Sequence, residues 1–596
     1  MSKLTDLILP DESIHLAGLF NERVKRSSSK PAYMYFNKNT ELWQHYTWEE
    51  TRNKVAKIQQ VFLSLTLEKG ERIGIMAENC PEWIMFEQAG LALGLVIVPL
   101  YPNDRAENVK YILNDAEIKV LLVSGDSQCC LLNDISADIE NVKLIISLHS
   151  SPDKEQYRNF DDLINTSSTS TYSIDNIHSE ELASIVYTSG TTGRPKGVML
   201  SHANIIENAY GASQCESFLP DDTYLSFLPL SHMFERTVGY YLPMMSGGTV
   251  AYARSIDNLA ADLISIKPTI LVTVPRIFER VYNKIKLQLQ NKPRISQYLF
   301  DLTVDVGWHF FLYSQNRASW HFKLLLRPIL YSLVSSKILK KLGGNLRLAI
   351  SGGAALSPEI ARVFIGLGLK ISQGYGMTEA SPVVCTNLLH DNIPSSVGQR
   401  LLNVEVSLGE NDELLVKGPS VMMGYLNNPN ATNKSIDKDG WLHTGDIAKI
   451  INEHIYITGR IKDILVLSNG EKVSPSDIEL AISYDTLIDQ VIIYGENKPY
   501  LTAILSLNHS EWSTIKTNIF TGKSVDINST DAHEYILGKV KKCLHNFPGY
   551  ARIYKIHCTM EAWTVENGLA TPTLKLKRKY IFDKYQKHID EMYKGH

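Results

Sequence analysis

Short apolar runs alternate with helical patterns along the first quarter of the chain. The runs are short and rich in Ile, Val and Leu, so they predict buried strands. These strands are Arg72–Met76, Leu95–Val98, Lys119–Val123 and Lys143–Leu148. Between them, Pro81 occupies the position of a first helical residue and Asn108–Asn114 continues the helical pattern. This alternation predicts a doubly wound α/β layer.

Helical patterns precede this layer, and a second set of elements closes the chain. Residues 15–27 predict an amphipathic helix, and Thr47 with Glu50 forms a capping box that starts another. Near the end, a helical pattern and two strand-like runs predict a small α+β unit. Its elements are Ser476–Ile482, Val491–Tyr494 and Leu501–Leu507. Residues 165–173 read as a Ser/Thr-rich bridge.

Composition narrows the function classes. The chain has 596 residues, enough for two or more domains, and its net charge of -4 gives no indication of nucleic-acid binding. Seven cysteines without a Cys-x-x-Cys pair favour neither a disulfide framework nor a zinc site and fit a reducing cytoplasm. The N-terminus lacks the apolar core of a signal peptide, and no run of roughly 20 apolar residues predicts a membrane span.

One stretch, Tyr187–Val198, carries the clearest chemistry. A strand-like run, residues 183–187, leads into successive hydroxyl and glycine residues, and Lys196 closes the loop. Glycines let backbone N–H groups converge on one anion, hydroxyls add neutral donors and the lysine adds a charge, so the loop is predicted to hold nucleotide phosphates. Its candidate phosphate contacts are Thr188, Ser189, Gly190, Thr191, Thr192, Gly193 and Lys196. The competing interpretation is an ordinary Gly/Thr surface turn.

The loop differs from two common nucleotide motifs. Five residues after Gly190 stands Pro195, where Gly-x4-Gly-Lys-Ser/Thr requires a glycine. The dinucleotide pattern Gly-x-Gly-x-x-Gly is also absent, and Pro195 prevents a helix from starting directly on the loop. The stretch instead resembles the signature loop of the adenylate-forming acyl-CoA synthetase superfamily, whose members activate carboxylates with ATP and pass the acyl group to a thiol.

Further motifs extend the resemblance from about Trp48 to Lys579, in the family's order. The stretch Leu228–Arg236 resembles the second core motif, which implies that His232 and Phe234, together with Gly376, line the acyl and carboxylate site. Residues 272–280 are similar to the corresponding stretch of long-chain members.

Two glycine-containing turns are expected to hold the adenine. The turn Gly352-Gly353-Ala354 borders the base in the family, which usually has proline where Ala355 stands here. The stretch Gln373-Gly374-Tyr375-Gly376-Met377-Thr378-Glu379 resembles the adenine and magnesium motif. The resemblance implies that Tyr375 stacks on adenine and that Glu379 binds Mg²⁺ together with Thr191, a ligand set that suits this hard cation.

The last motifs supply ribose contacts, a pivot and a cation. Asp446 and Arg460 resemble the ribose-binding pair, and Lys462 stands at the family's hinge. Lys575 matches the adenylation lysine, although Leu574 replaces the usual glycine and Lys577 lies close enough to compete for the role. A cation is needed there because a carboxylate must approach an anionic phosphate.

An aromatic and basic segment, residues 298–334, fits two interpretations. Broken apolar runs interleaved with basic residues suit an interfacial helix on a membrane. The same composition also suits a helical insertion packed on the main domain, and the pattern alone does not separate the two.

Together the motifs predict a long-chain fatty acyl-CoA synthetase of α/β fold. Residues 1–459 would form the large domain and residues 460–596 a small mobile α+β domain. The expected cofactor is Mg²⁺, and the expected substrates are a fatty acid, ATP and CoA. The expected location is the cytoplasm or the inner face of the membrane. The motifs leave three questions open. The acceptor could be an acyl carrier protein instead of CoA, the protein could be a non-enzymatic lipid-binding scaffold, and the chain could be a monomer or a homodimer.

Overall fold

The computed structural model describes residues 6–149, 152, 156–166, 171–188, 194–290, 292–520, 525–545, 547–571 and 575–594. The predicted phosphate contacts Ser189–Gly193 therefore lie outside the described residues, as does the centre of the Ser/Thr-rich bridge.

Two large sheets dominate the described residues. The first has nine strands, in the spatial order Gln399–Arg400, Val383–Thr386, Ile371–Gly376, Leu348–Ser351, Ile270–Thr273, Thr223–Ser226, Thr249–Tyr252, Pro31–Asn37 and Leu42–Thr47. The second has eight, in the order Gly424–Tyr425, Lys196–Ser201, Leu182–Thr188, Val96–Pro99, Arg72–Met76, Ile118–Val123, Leu144–Ser147 and Tyr157–Asn159. Their central strands pair in parallel and their antiparallel pairs lie toward the edges, so the predicted α/β layer is confirmed.

Smaller sheets follow along the chain. Four strands form an antiparallel sheet: Glu405–Leu408, Glu413–Lys417, Leu442–Ile451 and His454–Arg460. A two-stranded ribbon joins Leu465–Val466 to Lys472–Val473, and a three-stranded sheet contains Ile488–Tyr494, Leu501–Leu507 and Ile553–Thr559. The residues after Leu465 bury an apolar core of their own. The domain boundary at residue 460 and the hinge at Lys462 stay predictions.

The helices lie between and around these sheets. The α-helices of the described residues are Pro10–Ser13, Leu16–Ser27, Trp48–Ser64, Pro81–Ala92, Ala106–Asp115, Asp126–Asp134, Phe160–Thr166, His202–Ser213, Leu242–Ser246, Leu259–Ile266, Pro275–Gln290, Arg294–Ser314, Arg327–Leu330, Ser336–Lys340, Pro358–Gly366, Pro429–Ser435, Pro475–Ile482, His509–Asn518, Thr530–Cys543 and Arg578–Met592. The predicted capping box is confirmed, because Thr47 and Glu50 exchange both hydrogen bonds. Helix Pro81–Ala92 is almost entirely buried and lies in the largest apolar core, which takes side chains from both large sheets.

The hairpin of Pro31–Asn37 and Leu42–Thr47 has no counterpart among the predicted elements. Its first strand pairs in parallel with Thr249–Tyr252, and the Thr249 hydroxyl donates to the Pro31 carbonyl, 218 residues away in sequence. A pairing over this separation leaves no local pattern, which is why the hairpin was missed.

The segment 298–334 divides into a packed half and an exposed half. Helix Arg294–Ser314 packs on Pro358–Gly366, where a Cβ on Gly307 would lie 1.8 Å from the Gly366 carbonyl oxygen. Shorter helical pieces then run from Phe322 to Lys340. The packed interpretation therefore applies to the first helix. Within the described ranges, no helix has the length and apolar character needed to cross a bilayer.

A buried ion pair connects the motif Leu228–Arg236 to the core. Arg236 and Glu87 are both fully buried, with Nη2 2.5 Å from Oε1, and Arg236 also donates to the Ser184 hydroxyl. We expect Arg236→Met to lower the free energy of unfolding by about 3–5 kcal/mol, because Glu87 would be left as an uncompensated buried charge. Denaturant unfolding of the variant measures this.

An exposed ion pair provides the control for that substitution. Arg362 and Asp305 lie 2.7 Å apart with side chains 49% and 62% exposed, so Arg362→Met should cost no more than about 1 kcal/mol. Adding Glu87→Gln to Arg236→Met should recover part of the loss. Equal effects at the buried and exposed arginines would contradict this account.

Candidate functional site

A cavity of about 820 Å³ lies at the carboxyl ends of several strands and collects most of the predicted site residues. Those that line it are Thr188, Lys196, His232, Phe234, Gly352, Gly353, Gly374, Tyr375, Gly376, Met377, Thr378, Glu379, Arg460, Lys462 and Lys575. Lys575 is nearly four hundred residues from Lys196 in sequence, so folding alone brings these cations to one cavity.

Three predicted residues do not line the described part of the cavity wall: Ala354, Gln373 and Asp446. Ala354 is exposed beside the cavity glycines. The buried Gln373 amide accepts a hydrogen bond from the Leu356 N–H, so its side chain supports the Gly352–Gly353 turn from behind. Asp446 lies directly behind Tyr375 and Arg460. Direct contact of these three residues with a nucleotide stays a prediction.

The two glycines around Tyr375 are required by the neighbouring strand. Strand Ile371–Gly376 pairs with Val383–Thr386, and a Cβ on Gly376 would lie 1.9 Å from the Pro382 carbonyl oxygen. A Cβ on Gly374 would lie 2.9 Å from the Cys385 carbonyl oxygen. Backbone on one side and the cavity on the other thus fix the position of the Tyr375 ring.

Tyr375, Asp446 and Arg460 form one hydrogen-bonded group. The Tyr375 hydroxyl donates to Asp446 Oδ2 at 2.5 Å, and Arg460 Nε donates to Oδ1 at 2.6 Å. Burial, with the Asp446 charge, raises the pKa of Tyr375 well above its usual value, so the hydroxyl remains a donor. The two strands that carry Asp446 and Arg460 pair at these residues, which fixes their separation.

Glu379 is held by a tyrosine that the motifs did not reveal. The Tyr425 hydroxyl donates to Glu379 Oε1 at 2.8 Å, and Lys196 Nζ lies 4.8 Å from the centre of the Tyr425 ring. Tyr425 belongs to the two-residue strand Gly424–Tyr425, which pairs with Val198 and Met199 at the end of the predicted phosphate loop. It therefore links the carboxylate to the loop lysine. A strand this short carries no recognisable sequence signal.

His232 lines the cavity and has one ring nitrogen occupied by a backbone donor. Its Nδ1 accepts a hydrogen bond from the Phe234 N–H at 3.2 Å, which leaves the proton on Nε2. Burial first, and the Lys575 charge second, lower the pKa of His232 to about 4. The Phe234 ring lies against Gly352, where a Cβ would come within 2.7 Å of the ring.

Lys575 lines the cavity, and backbone hydrogen bonds connect the described residues around it. The Thr571 N–H donates to the Lys575 carbonyl at 2.8 Å, and the Lys577 N–H donates to the Leu569 carbonyl at 2.9 Å. Burial and Arg460 lower the pKa of Lys575, whereas Asp446 and Glu379 raise it. Lys577 instead lies near the Tyr580 ring, outside the described cavity lining. The geometry thus favours Lys575 over Lys577.

Apolar side chains line the other part of the cavity. They are Ala212, Cys215, Phe218, Val238, Leu242, Leu348, Ile350 and Val383. These residues come from helices and strands whose patterns are indistinguishable from ordinary core, so sequence reasoning did not select them. An apolar wall in the same cavity as Lys196, Arg460 and Lys575 suits an anionic amphiphile.

Two family models match the chain. The model of the AMP-binding enzyme family covers residues 20–426, and that of the AMP-binding enzyme C-terminal domain covers residues 462–596. The long-chain-fatty-acid--CoA ligase FadD15 of Mycobacterium bovis is 30% identical over 575 residues, which are 94% of this chain and 95% of that protein. The human long-chain-fatty-acid--CoA ligase 1 is 30% identical over 600 residues, with coverages of 92% and 83%.

Solved structures show the same fold at lower identity. The anthranilate CoA ligase AuaEII, in complex with anthranoyl-AMP, superposes with a TM-score of 0.74 at 19% identity and covers 97% of this chain and 98% of its own. The A domain of a carboxylic acid reductase from Segniliparus rugosus, in complex with AMP and a co-purified carboxylic acid, gives 0.75 at 19% identity, with coverages of 97% and 94%. The predicted fold of the adenylate-forming superfamily is confirmed.

Proposed function

Since the chain belongs to the family of AMP-binding enzymes, we propose that it activates a long-chain fatty acid as acyl-AMP and then forms the CoA thioester. The observation that carries the proposal is the single cavity in which an apolar wall meets Lys575, Arg460 and Lys196. The relatives named above as long-chain-fatty-acid--CoA ligases match over nearly the whole chain, which supports the choice of acid and acceptor.

The first step joins the carboxylate to AMP. A carboxylate oxygen attacks the α-phosphorus of ATP, the bond from that phosphorus to the bridging oxygen breaks, and pyrophosphate leaves. Lys575 stabilises the negative charge that accumulates at the α-phosphate. His232 donates its Nε2–H to the carboxylate end of the acid, while the apolar wall holds the chain. Tyr375 packs on the adenine, and Asp446 with Arg460 fixes the ribose.

Magnesium fits the donor set at the phosphate end. Among the described residues, no three His, Cys, Asp or Glu side chains form a metal-binding group. Glu379 nevertheless lines the cavity, with Tyr425 orienting its carboxylate. Mg²⁺ typically takes one or two carboxylates together with substrate phosphates. We propose that Glu379 holds it with Thr191, which lies outside the described residues, and that the ion neutralises phosphate charge when bound.

The second step needs the lysine to leave. The thiol sulfur attacks the acyl carbon, the bond from that carbon to the AMP oxygen breaks, and the thiol proton passes to solvent. We propose that residues 460–596 rotate at Lys462, which lies at the cavity beside Arg460, to withdraw Lys575 and admit the thiol.

A substrate and acceptor panel tests the proposal. Carboxylates of increasing length, with CoA or an acyl carrier protein as sole acceptor, are assayed for pyrophosphate and thioester. We expect the highest kcat/KM with long acyl chains and CoA. If thioester forms only on the carrier protein, the acceptor is the carrier protein and not CoA. If no acid gives pyrophosphate, the proposed enzymatic function is wrong and the protein has a binding or scaffolding role.

A contact between the two parts of the chain should position Lys575 for adenylation. Arg105, just before helix Ala106–Asp115, donates to the Val565 and Glu566 carbonyls at 3.3 and 3.4 Å. Its guanidinium fills the space beside Gly568, where a Cβ would lie 1.9 Å from Nη2. We expect Arg105→Ala to slow adenylate formation about 10–100-fold, as expected for the loss of hydrogen bonds from a charged donor.

Half-reactions distinguish this positioning role from a general loss of structure. Thioester formation from supplied acyl-AMP should be unchanged in Arg105→Ala, since that step needs Lys575 withdrawn. Lys110→Ala, on the helix that follows Arg105 and in an exposed ion pair with Asp138, is the matched control and should leave both steps unchanged. Equal slowing of both half-reactions by Arg105→Ala would contradict the positioning role.

We also propose that the enzyme works in the cytoplasm, on the inner face of the membrane. All seven cysteines lie in the described part of the chain and remain free thiols, which supports a reducing compartment. Fatty acids partition into bilayers, so a membrane face is where the substrate is concentrated.

A further inference from the structure

One face of the molecule exposes large apolar side chains at unusual density. Between residues 320 and 333, Trp320 is 55%, Phe322 63%, Leu325 71% and Ile329 59% exposed. In the same stretch, Leu326 is 42%, Tyr331 44% and Leu333 49% exposed. A cluster of exposed apolar side chains on successive helical pieces marks an interaction site, whereas isolated exposed side chains do not. These seven residues are termed the apolar face.

The helical pieces that carry the apolar face contact helix Arg294–Ser314, which is itself packed on the protein. Helix Arg294–Ser314 packs on Pro358–Gly366 at the Gly307–Gly366 contact and buries Phe300, Val304 and Val306. Arg327 lies over the Phe310 ring, with its guanidinium carbon 3.7 Å from the ring centre. The exposed residues are therefore presented by a packed helical platform.

Charge around the apolar face identifies its occupant. The protein as a whole is acidic, yet no aspartate or glutamate occurs between Gln315 and Lys341. Positive charge in this stretch comes from Arg317, Lys323, Arg327, Lys337, Lys340 and Lys341. Lys323, Lys337 and Lys340 are exposed. Exposed apolar side chains with exposed lysines in the same stretch complement anionic lipid headgroups above an acyl layer. Lys323, Lys337 and Lys340 are termed the lysine rim.

We propose that the apolar face and its lysine rim dock the protein on an anionic phospholipid bilayer. The helical pieces from Phe322 to Lys340 would lie in the plane of the headgroups with Phe322, Leu325 and Ile329 in the acyl boundary. This inference rests on the proposed location at a membrane and adds to it the docking surface and the class of lipid.

Vesicle sedimentation of the full chain tests the proposal. Wild type should pellet with phosphatidylcholine vesicles that contain phosphatidylglycerol, and less with phosphatidylcholine alone or at high salt. Phe322→Ser with Leu325→Ser should lower the partitioning at least about tenfold, since two side chains would no longer be buried in lipid. Lys323→Glu with Lys337→Glu should remove the preference for the anionic vesicles.

Matched controls are available elsewhere on the surface. Leu42 and Leu402 are 63% and 77% exposed outside this segment, so Leu42→Ser with Leu402→Ser should bind as wild type. Lys516→Glu, at an exposed lysine of a distant helix, is the charge control. The proposal is overturned if wild type stays in the supernatant or if the controls lose as much binding as the test variants.

Two further measurements separate other outcomes. If the Phe322/Leu325 variant binds vesicles normally but changes from dimer to monomer on gel filtration, the occupant is a second copy and the proposal fails. Acyl-CoA formation from detergent-dispersed fatty acid should be retained in all these variants. Vesicle binding without any acyl-CoA formation would reject the proposed function and leave the docking surface intact.

Discussion

Lys575→Ala is expected to lower the rate of acyl-AMP formation about 10²–10³-fold, the cost typical of losing one preorganised donor at a developing charge. Lys575 is a cation from near the end of the chain that lines the cavity, close enough to Arg460, Asp446 and Glu379 for their charges to alter its pKa. Two anions must meet in the first step, so removal of this charge acts mainly on the transition state of adenylation.

The thioester step separates this prediction from general damage. Supplied acyl-AMP should be converted to acyl-CoA by Lys575→Ala at close to the wild-type rate, because the proposed rotation withdraws the lysine for that step. Lys577→Ala is the matched control, since Lys577 lies near Tyr580 and outside the described cavity lining. It should retain adenylation within a few-fold. Adenylation that survives in Lys575→Ala and fails in Lys577→Ala would reassign the role.

Gly376→Ala is expected to lower adenylation about 10²-fold, the effect that a misplacement of roughly 1 Å can have on an oriented reaction. The new Cβ would lie 1.9 Å from the Pro382 carbonyl oxygen, so the backbone must move. Tyr375 and Glu379 lie close to this position, and both would be displaced from the proposed nucleotide site. Measurement of pyrophosphate release, with the unfolding transition checked in parallel, gives the effect.

Two other glycines calibrate that result. At Gly374 the Cβ would lie 2.9 Å from the Cys385 carbonyl oxygen, so Gly374→Ala requires a smaller shift and should show an intermediate loss. Gly538, on helix Thr530–Cys543, has open space around its Cβ position, and Gly538→Ala should leave activity unchanged. Wild-type adenylation in Gly376→Ala would show that the strand does not set the position of Tyr375.

Local patterns predicted much of the fold. Strand Arg72–Met76, strand Leu501–Leu507 and the Thr47–Glu50 capping box appear as expected, because apolar periodicity and capping act over a few residues. The hairpin of Pro31–Asn37 and Leu42–Thr47 was missed, because its parallel partner Thr249–Tyr252 lies far along the chain. Strand pairing of this kind is decided by tertiary packing.

The residues of the candidate site also fall into a group that the sequence predicted and a group that it did not. Motifs with glycines and charges, such as Gly374–Glu379, Arg460 and Lys575, could be selected from the sequence, and the structure brings them to one cavity. Tyr425 and Arg105 could not, because the residues that they contact are distant in sequence. The apolar wall was also missed, since a side chain facing a ligand has the same pattern as one facing the core.

The central claim is that the carboxylate of a long-chain fatty acid attacks the α-phosphorus of ATP. The most direct measurement uses a fatty acid with oxygen-18 in its carboxyl group, incubated with the enzyme, ATP, Mg²⁺ and CoA, followed by mass analysis of the nucleotide and phosphate products. The account predicts one oxygen-18 atom in AMP and none in pyrophosphate, together with acyl-CoA. Unlabelled AMP, or ADP with the label in inorganic phosphate, would contradict it.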